Sequence, residues 1–175
     1  GQICVESELG RGSTFHFTTR FGLSDTPESA MESMVIPHGS QSTVLVVDDN
    51  ATHRRILTAL LQQWGLRPTA VEGSQEAFDA LRQGQETGQP FALVLLDTTL
   101  AAGDSVQLAQ QITAPPALAG ALIVMLSPAT QGTSLERWRE LQGITYVTKP
   151  LMPSELWEAL MMVLASPAVM TPSAS

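Results

Sequence analysis

The chain has 175 residues, 43% of them hydrophobic and 15% charged, which suits one globular domain with appendages and is cramped for two. Its net charge of −8 argues against nucleic-acid binding by this segment, because no cluster of lysines or arginines is available to release counterions from a phosphate backbone. No apolar run reaches the about 18 residues needed to span a bilayer, so the sequence predicts that this segment lies outside the membrane.

The cysteine content indicates a reducing compartment. Cys4 is the only cysteine, so it cannot form a disulfide within the chain, and no Cys/His spacing typical of a metal site accompanies it. We therefore expect a cytoplasmic location. The chain opens on Gly1, as if it began inside a longer protein, which leaves open a parent protein anchored in the inner membrane.

Residues 1–22 have the pattern of a β-hairpin. Apolar residues alternate with polar ones on either side of the Gly10-Arg11-Gly12 turn. They are Ile3, Val5, Phe15, Phe17 and Phe21. An isolated hairpin is marginally stable in water, and nothing in the sequence is obviously meant to cover these phenylalanines. We therefore predict that the segment is part of a larger sheet that the sequence does not include.

Residues 43–165 are the predicted domain, between a linker at 23–42 and a tail at 166–175 whose small and proline-containing sequences have no stable period. Within the domain, strands are predicted at 43–47, 68–71, 92–96, 121–126 and 145–147. Helices are predicted after Asn50, which would cap the first one, and near 74–86, 104–113, 131–142 and 153–165. The apolar face of the first helix is assigned to Ile56, Leu57, Leu60, Leu61 and Trp64.

This regular alternation of strands and helices predicts an α/β fold with a five-stranded parallel sheet covered on both faces, because parallel neighbours need crossover helices. Binding sites in such sheets lie at the carboxyl ends of the strands. Polar residues occupy those ends here: Asp48, Asp49, Asp97, Ser127 and Lys149, the last followed by Pro150.

These residue types predict chemistry on phosphate. Three carboxylates at one edge repel one another unless a cation lies among them, and hard oxygen ligands suit Mg²⁺. Lys149 would offset the charge of Asp97 and hold a phosphoryl oxygen, while the Ser127 hydroxyl would donate to another. The pattern favours in-line phosphoryl transfer with Asp97 as the nucleophile.

The motifs resemble the receiver domain of two-component response regulators and hybrid histidine kinases. The matching segments are VLVVDDN at 44–50, ALVLLD at 92–97, VMLS at 124–127 and YVTKP at 146–150. The resemblance implies the flavodoxin-like doubly wound (βα)5 fold with strand order 2-1-3-4-5. It also implies that Asp97 accepts a phosphoryl group in a phosphorelay, from a phosphohistidine on a kinase dimerisation domain or a histidine phosphotransfer domain.

The resemblance further implies roles for individual residues. Mg²⁺ would be held by Asp48, Asp49, Asp97 and the main-chain carbonyl of Thr99. The phosphoryl-binding and switch residues would be Ser127, Tyr146 and Lys149, with Pro150 as a cis proline. Ala101 stands where the family usually has proline and Ser105 where it has glycine, so the rigidity of the loop after Asp97 and its turn into the next helix are open questions.

Residues 1–22 resemble the closing hairpin of the ATP-binding domain of histidine kinases, through Gly10-Arg11-Gly12-Ser13-Thr14-Phe15. An ATPase end, a linker and a receiver, in that order, are the arrangement of a hybrid histidine kinase. The ATP-binding residues and the phosphorylated histidine of such a kinase would lie upstream of this sequence. We therefore predict a phosphoacceptor without kinase activity of its own.

Other interpretations stay open. A degenerate receiver that only docks partner proteins would accommodate Ala101 and Ser105. A phosphohydrolase with an aspartate nucleophile would use the same Mg²⁺, lysine and hydroxyl, although enzymes of the haloacid type usually carry a second aspartate where this chain has Thr99. Tyr146 is nearly as well explained as a half-buried strand aromatic. The three histidines, His16, His38 and His53, are interpreted as solvated side chains.

Overall fold

The computed structural model describes residues 1–22, 42–100, 104–114, 118–120, 122–126, 138, 141 and 144–164. The chain divides into two compact units, Gly1–Ser33 and Met34–Ser175. Within the described ranges, no helix has both the length and the apolar character that crossing a membrane requires. The predicted linker 23–42, except for Ser42, lies outside the described residues, as does the tail 166–175.

The first unit contains the predicted hairpin, formed by β1 (Gln2–Glu8) and β2 (Gly12–Thr18) in antiparallel pairing. Gly10 and Gly12 at the turn have φ angles of 84° and 94°, a region in which glycine is favoured because it has no Cβ. The register places Ile3 opposite Phe17 and Val5 opposite Phe15, so that one face of the hairpin is apolar. All of these apolar side chains are exposed.

The second unit is built on a five-stranded parallel sheet. Its strands are β3 (Thr43–Val47), β4 (Arg67–Val71), β5 (Leu93–Asp97), β6 (Leu122–Leu126) and β7 (Ile144–Thr148). Their order across the sheet is β4-β3-β5-β6-β7, and each neighbouring pair is parallel. The predicted α/β fold with strand order 2-1-3-4-5 is confirmed.

Four helices belong to the described part of this unit: α1 (Ala51–Gln63), α2 (Ser74–Glu86), α3 (Asp104–Thr113) and α4 (Pro153–Leu164). Asn50 caps α1 as predicted, because its side-chain oxygen accepts hydrogen bonds from the backbone N–H groups of Thr52 at 2.9 Å and His53 at 3.2 Å. The helix predicted over 131–142 falls outside the described residues, apart from Trp138 and Leu141.

Two apolar layers cover the faces of the sheet, because successive strand side chains point to opposite sides. Leu45 and Val47 pack with residues of α2 and α3, whereas Val44 and Val46 pack with residues of α1 and α4. Strand segments that are buried on both faces in this way are apolar, as residues 44–47 of β3 and 93–96 of β5 are. Asp97 is the point at which this apolar run changes to polar chemistry.

One detail of the predicted core is wrong. Ile56 was assigned to the buried face of α1, but it is 55% exposed, whereas Leu57 is only 3% exposed. Leu57, Leu61 and Trp64 follow the i, i+4, i+7 spacing of a narrow helical stripe and are all buried. Ile56 lies on the flank of this stripe, and Leu60 on the same flank is only partly buried.

Candidate phosphoryl-transfer site

Three charged side chains meet at the carboxyl edge of the sheet. Asp48 directly follows β3, Asp97 is the last residue of β5, and Lys149 directly follows β7. Parallel strands in neighbouring positions end at the same edge, so residues far apart in sequence become neighbours. Asp48 and Asp97 are both fully buried, and the side chain of Lys149 is 15% exposed.

Asp97 accepts hydrogen bonds at both carboxylate oxygens. Lys149 Nζ donates to Oδ2 at 2.6 Å, Thr99 Oγ1 donates to Oδ2 at 2.6 Å, and the Thr99 N–H donates to Oδ1 at 3.1 Å. Burial by itself would raise the pKa of Asp97, but these hydrogen bonds and the charge of Lys149 hold that pKa below its ordinary value of 3.8. Asp97 is therefore an ionised carboxylate at neutral pH.

Asp48 is held by the chain segment that starts α1. Its Oδ1 accepts a hydrogen bond from the backbone N–H of Asn50 at 2.8 Å, and its carbonyl oxygen accepts one from Arg54 at 2.7 Å. Its Oδ2 is left to face the pocket, where it lies 3.4 Å from Lys149 Nζ and 3.4 Å from His53 Nδ1. The cap of α1 thus also fixes the orientation of a buried carboxylate.

His53 lies at this site, although its sequence pattern was interpreted as that of a solvated residue. Its side chain is 47% exposed, but Nδ1 reaches Asp48 Oδ2 and lies 3.5 Å from Lys149 Nζ. The signal for this placement is the Asn50 cap, because a residue in the first turn of a helix that starts at a strand end can face that end. His16 is exposed in β2, and His38 lies outside the described residues.

The donor groups at this edge fit a divalent cation. Asp48, His53 and Asp97 each offer one ligand atom, and these atoms lie within 4.8 Å of one another. Two buried carboxylates face one lysine here, and a bound cation would reduce the repulsion between them. Asp49, predicted as a ligand, is exposed and lies outside this cluster in the described part of the chain.

Of the predicted switch residues, the structure describes Tyr146 and Lys149 but not Ser127. Ser127 lies outside the described residues. Tyr146 is half-buried in β7, and its hydroxyl donates to the carbonyl oxygen of Trp138, while burial raises the pKa of the phenol. This environment fits a packed strand aromatic, and the switch role of Tyr146 stays a prediction. The peptide bond between Lys149 and Pro150 is cis, the geometry that the resemblance implied.

Ser105, one of the two unusual residues after Asp97, is integrated into the fold. It is buried at the start of α3, and its Oγ lies 3.5 Å from the carbonyl oxygen of Thr98. Thr98 Oγ1 in turn donates to the carbonyl oxygen of Met125 at 3.1 Å, which links the end of β5 to β6. The serine therefore adds a contact that glycine could not make, whereas Ala101 lies outside the described residues.

Comparisons with known proteins agree with this fold. The sequence pattern of the response regulator receiver domain matches residues 44–161. The transcriptional regulatory protein ZraR of Klebsiella oxytoca is 31% identical over 143 residues, covering 78% of this chain and 30% of ZraR. The autoinducer 2 sensor kinase/phosphatase LuxQ of Vibrio vulnificus is 25% identical over 164 residues, covering 92% of this chain and 18% of LuxQ.

The structural comparison supports the fold independently. A response regulator receiver protein from Burkholderia phymatum superposes with a TM-score of 0.58 at 18% identity, covering 71% of this chain and 95% of that protein. The chain spans less than a third of the length of ZraR and of LuxQ. The LuxQ match covers 92% of this chain, so it leaves out fewer than 22 residues. Part of segment 1–22 therefore lies within the match.

Proposed function

The chain belongs to the response regulator receiver family through residues 44–161, and we propose that Asp97 accepts a phosphoryl group from a phosphohistidine in a two-component phosphorelay. One observation carries this proposal. Asp97 is a buried, ionised carboxylate that Lys149 holds at 2.6 Å, at the strand edge where Asp48 is also buried. A buried anion with a cationic partner is suited to phosphoryl transfer, because the partner offsets the charge of the incoming phosphoryl oxygens.

The proposed reaction is an in-line displacement at phosphorus. A carboxylate oxygen of Asp97 attacks, the bond between phosphorus and the donor imidazole nitrogen breaks, and the imidazole leaves with the electron pair and takes up a proton. Lys149 stays within reach of the transferred phosphoryl oxygens and offsets their charge. Ser127 is proposed to donate a hydrogen bond to another of these oxygens.

We assign the Mg²⁺ site to Asp48, Asp49, Asp97 and the main-chain carbonyl of Thr99. Mg²⁺ at this place would neutralise charge on the phosphoryl oxygens during transfer. The buried carboxylates of Asp48 and Asp97 support the assignment, because oxygen ligands suit Mg²⁺ and a cation between them would reduce their repulsion. Asp49 is exposed and would have to turn toward the pocket or act through a bound water.

Access to Asp97 depends on Thr99. The carboxylate is 1% exposed, and the Thr99 hydroxyl occupies a position 2.6 Å from Oδ2. Thr99 itself is exposed, so a rotation of its side chain into solvent removes one of the two donors to that oxygen without disturbing the core. We infer that the donor displaces the threonine hydroxyl and leaves the Lys149 contact in place.

We also propose that this receiver belongs to a hybrid histidine kinase. The exposed apolar face of the hairpin is the kind of surface that a missing sheet would cover, and the LuxQ match extends into segment 1–22. On this proposal, residues 1–22 close a kinase ATP-binding domain, 23–42 are a linker, 43–165 are the receiver and 166–175 a tail. The receiver would act in the cytoplasm, on the donor histidine of a kinase or phosphotransfer domain.

Beryllofluoride binding tests the acceptor role, because the complex mimics a phosphorylated aspartate. We expect ¹⁹F NMR to show a bound signal that requires Mg²⁺ and disappears in Asp97→Asn. A Glu158→Gln variant on α4, outside the site, should retain the signal. Absence of a bound signal with wild-type protein that circular dichroism shows to be folded would contradict phosphorylation and favour a docking module. Steady turnover of a phosphate monoester would instead favour a phosphohydrolase.

A further inference from the structure

We propose that His53 is a ligand of the metal in this pocket and that it shifts the preference of the pocket from Mg²⁺ toward Zn²⁺. The proposal rests on the metal site of the proposed function but not on phosphorylation itself. His53 contributes an imidazole nitrogen to a cluster whose other donors, in Asp48 and Asp97, are carboxylate oxygens. A pocket with this donor set differs chemically from one that offers only oxygen.

The distances place His53 within reach of the same ion as Asp48. Its Nδ1 lies 3.4 Å from Asp48 Oδ2. Two ligands of a tetrahedral metal ion, each about 2.1 Å from it, lie about 3.4 Å apart. The third ligand atom, from Asp97, lies within the same 4.8 Å cluster, so small side-chain rotations bring all three to binding distance.

The ammonium group of Lys149 already provides a positive charge next to this cluster. Its ammonium lies 2.6 Å from Asp97 Oδ2, 3.4 Å from Asp48 Oδ2 and 3.5 Å from His53 Nδ1. The two longer contacts are weak, because hydrogen bonds lose most of their strength near 3.5 Å. An incoming cation can therefore displace the ammonium from Asp48 and His53 while the short contact to Asp97 remains.

The imidazole of His53 decides which metal the pocket prefers. Mg²⁺ prefers oxygen ligands in octahedral geometry and keeps several waters, so it gains little from an imidazole. Zn²⁺ binds imidazole nitrogen and carboxylate oxygen together and often has three protein ligands plus water. The side chain of His53 is partly exposed, so it can turn toward the ion without opening the core.

Calorimetric titration of the full chain with ZnCl₂ and with MgCl₂, at pH 7.5, tests the proposal. We expect His53→Asn to weaken Zn²⁺ binding at least about 10-fold and to change Mg²⁺ binding much less. His16→Asn, on the exposed hairpin, and Cys4→Ser serve as controls for adventitious Zn²⁺ binding and should leave the Zn²⁺ affinity of the pocket unchanged. Asp48→Asn should weaken both metals, because its carboxylate is common to both sites.

A direct readout separates ligation from an indirect effect. In ¹⁵N-histidine-labelled protein, Zn²⁺ should shift the ring nitrogen signals of His53, and the shift should disappear in Asp48→Asn. Equal Zn²⁺ affinities in wild type and His53→Asn, or an unshifted His53 ring at saturating Zn²⁺, would overturn the proposal. Either result, combined with intact Mg²⁺-dependent beryllofluoride binding, would leave the acceptor role of Asp97 standing.

Discussion

Lys149 Nζ and Asp97 Oδ2 lie 2.6 Å apart although 52 residues separate them in the chain. The contact ties the end of β7 to the end of β5, two strands that are not neighbours in the sheet. It therefore has a structural role as well as a chemical one. The same ammonium that keeps Asp97 ionised is also positioned to meet the oxygens of a phosphoryl group bound there.

Removing the partners of Asp97 should raise its pKa in a graded way. We expect a rise in Thr99→Val, which loses one hydrogen bond, and a larger rise in Lys149→Met, which loses a hydrogen bond and a positive charge while burial is kept. Carboxyl-detected ¹³C NMR titration of Asp97 measures both shifts. An unchanged pKa of Asp97 in Lys149→Met would contradict this account of the site.

The depressed pKa of Asp97 predicts how stability depends on acid. Because the pKa is lower in the folded protein than the ordinary 3.8, the unfolded chain binds the proton first as pH falls. The contribution of Asp97 to the free energy of unfolding is complete above that ordinary value and is lost as pH falls through the folded pKa. Urea unfolding of the metal-free protein between about pH 5 and pH 2 should show a free energy of unfolding that depends less on pH in Asp97→Asn than in wild type. Equal slopes in wild type and Asp97→Asn would contradict it.

The sequence was sufficient for the fold because the relevant signals are local and strong. The uninterrupted apolar runs of β3 and β5 are required by burial on both faces, and the Asn50 cap fixes the start of α1. The convergence of Asp48, Asp97 and Lys149 followed from topology alone, since parallel strands present their ends at one edge. These predictions needed no knowledge of side-chain conformations.

The parts that sequence reasoning missed depend on geometry finer than a pattern. His53 was interpreted as a solvated side chain in the first turn of a helix beside two arginines; its ring is half-exposed, but it also reaches a buried carboxylate. Asp49 was predicted as a metal ligand together with Asp48; Asp48 is buried and Asp49 is exposed, and the role of Asp49 stays a prediction. Ile56 was placed in the core because the sequence shows which residues are apolar but not how wide a face of the helix is covered by the sheet.

A matched pair of alanine variants on α1 tests which of its apolar residues are buried. Leu57→Ala should lower the free energy of unfolding by about 2–5 kcal/mol, because it leaves a cavity in the layer beneath the sheet. Ile56→Ala should change it by no more than about 0.5 kcal/mol, because the side chain is mostly in solvent. Urea denaturation of both variants gives the comparison. Similar losses in the two would show that Ile56 is buried in solution.

Metal binding should stabilise the receiver through the proposed pocket. At a free Mg²⁺ concentration 100 times the Kd, the gain in the free energy of unfolding is about 2.7 kcal/mol. Thermal unfolding followed with and without MgCl₂ should show a higher Tm with the metal, reversed by a chelator. The gain should be much smaller in Asp97→Asn. It should be fully retained in Arg82→Ala, because Arg82 is an exposed residue of α2 and is not one of the pocket residues. An equal gain in Asp97→Asn would place the Mg²⁺ elsewhere.

Tyr146 gives a separate test at alkaline pH, because it is the only tyrosine in the chain and its titration is assigned without ambiguity. Burial raises its pKa above 10.0, so as pH rises the unfolded chain loses the phenolic proton before the folded protein does. Its contribution to stability is complete below pH 10 and is lost as pH rises through the folded pKa. Ultraviolet absorption of tyrosinate should show the raised midpoint, which returns to the ordinary value in denaturant.

The Tyr146→Phe variant isolates the hydroxyl from the ring. It should lower the free energy of unfolding at neutral pH by about 1 kcal/mol, because the carbonyl oxygen of Trp138 loses one of its two hydrogen-bond donors and keeps the backbone N–H of Leu141. It should also remove the loss of stability that Tyr146 causes as pH rises above 10, while the ring keeps its packing against the core. A switch role would add a different effect, a change in beryllofluoride affinity or in the response to it. Unchanged beryllofluoride binding together with the predicted loss of stability would identify Tyr146 as a packing residue.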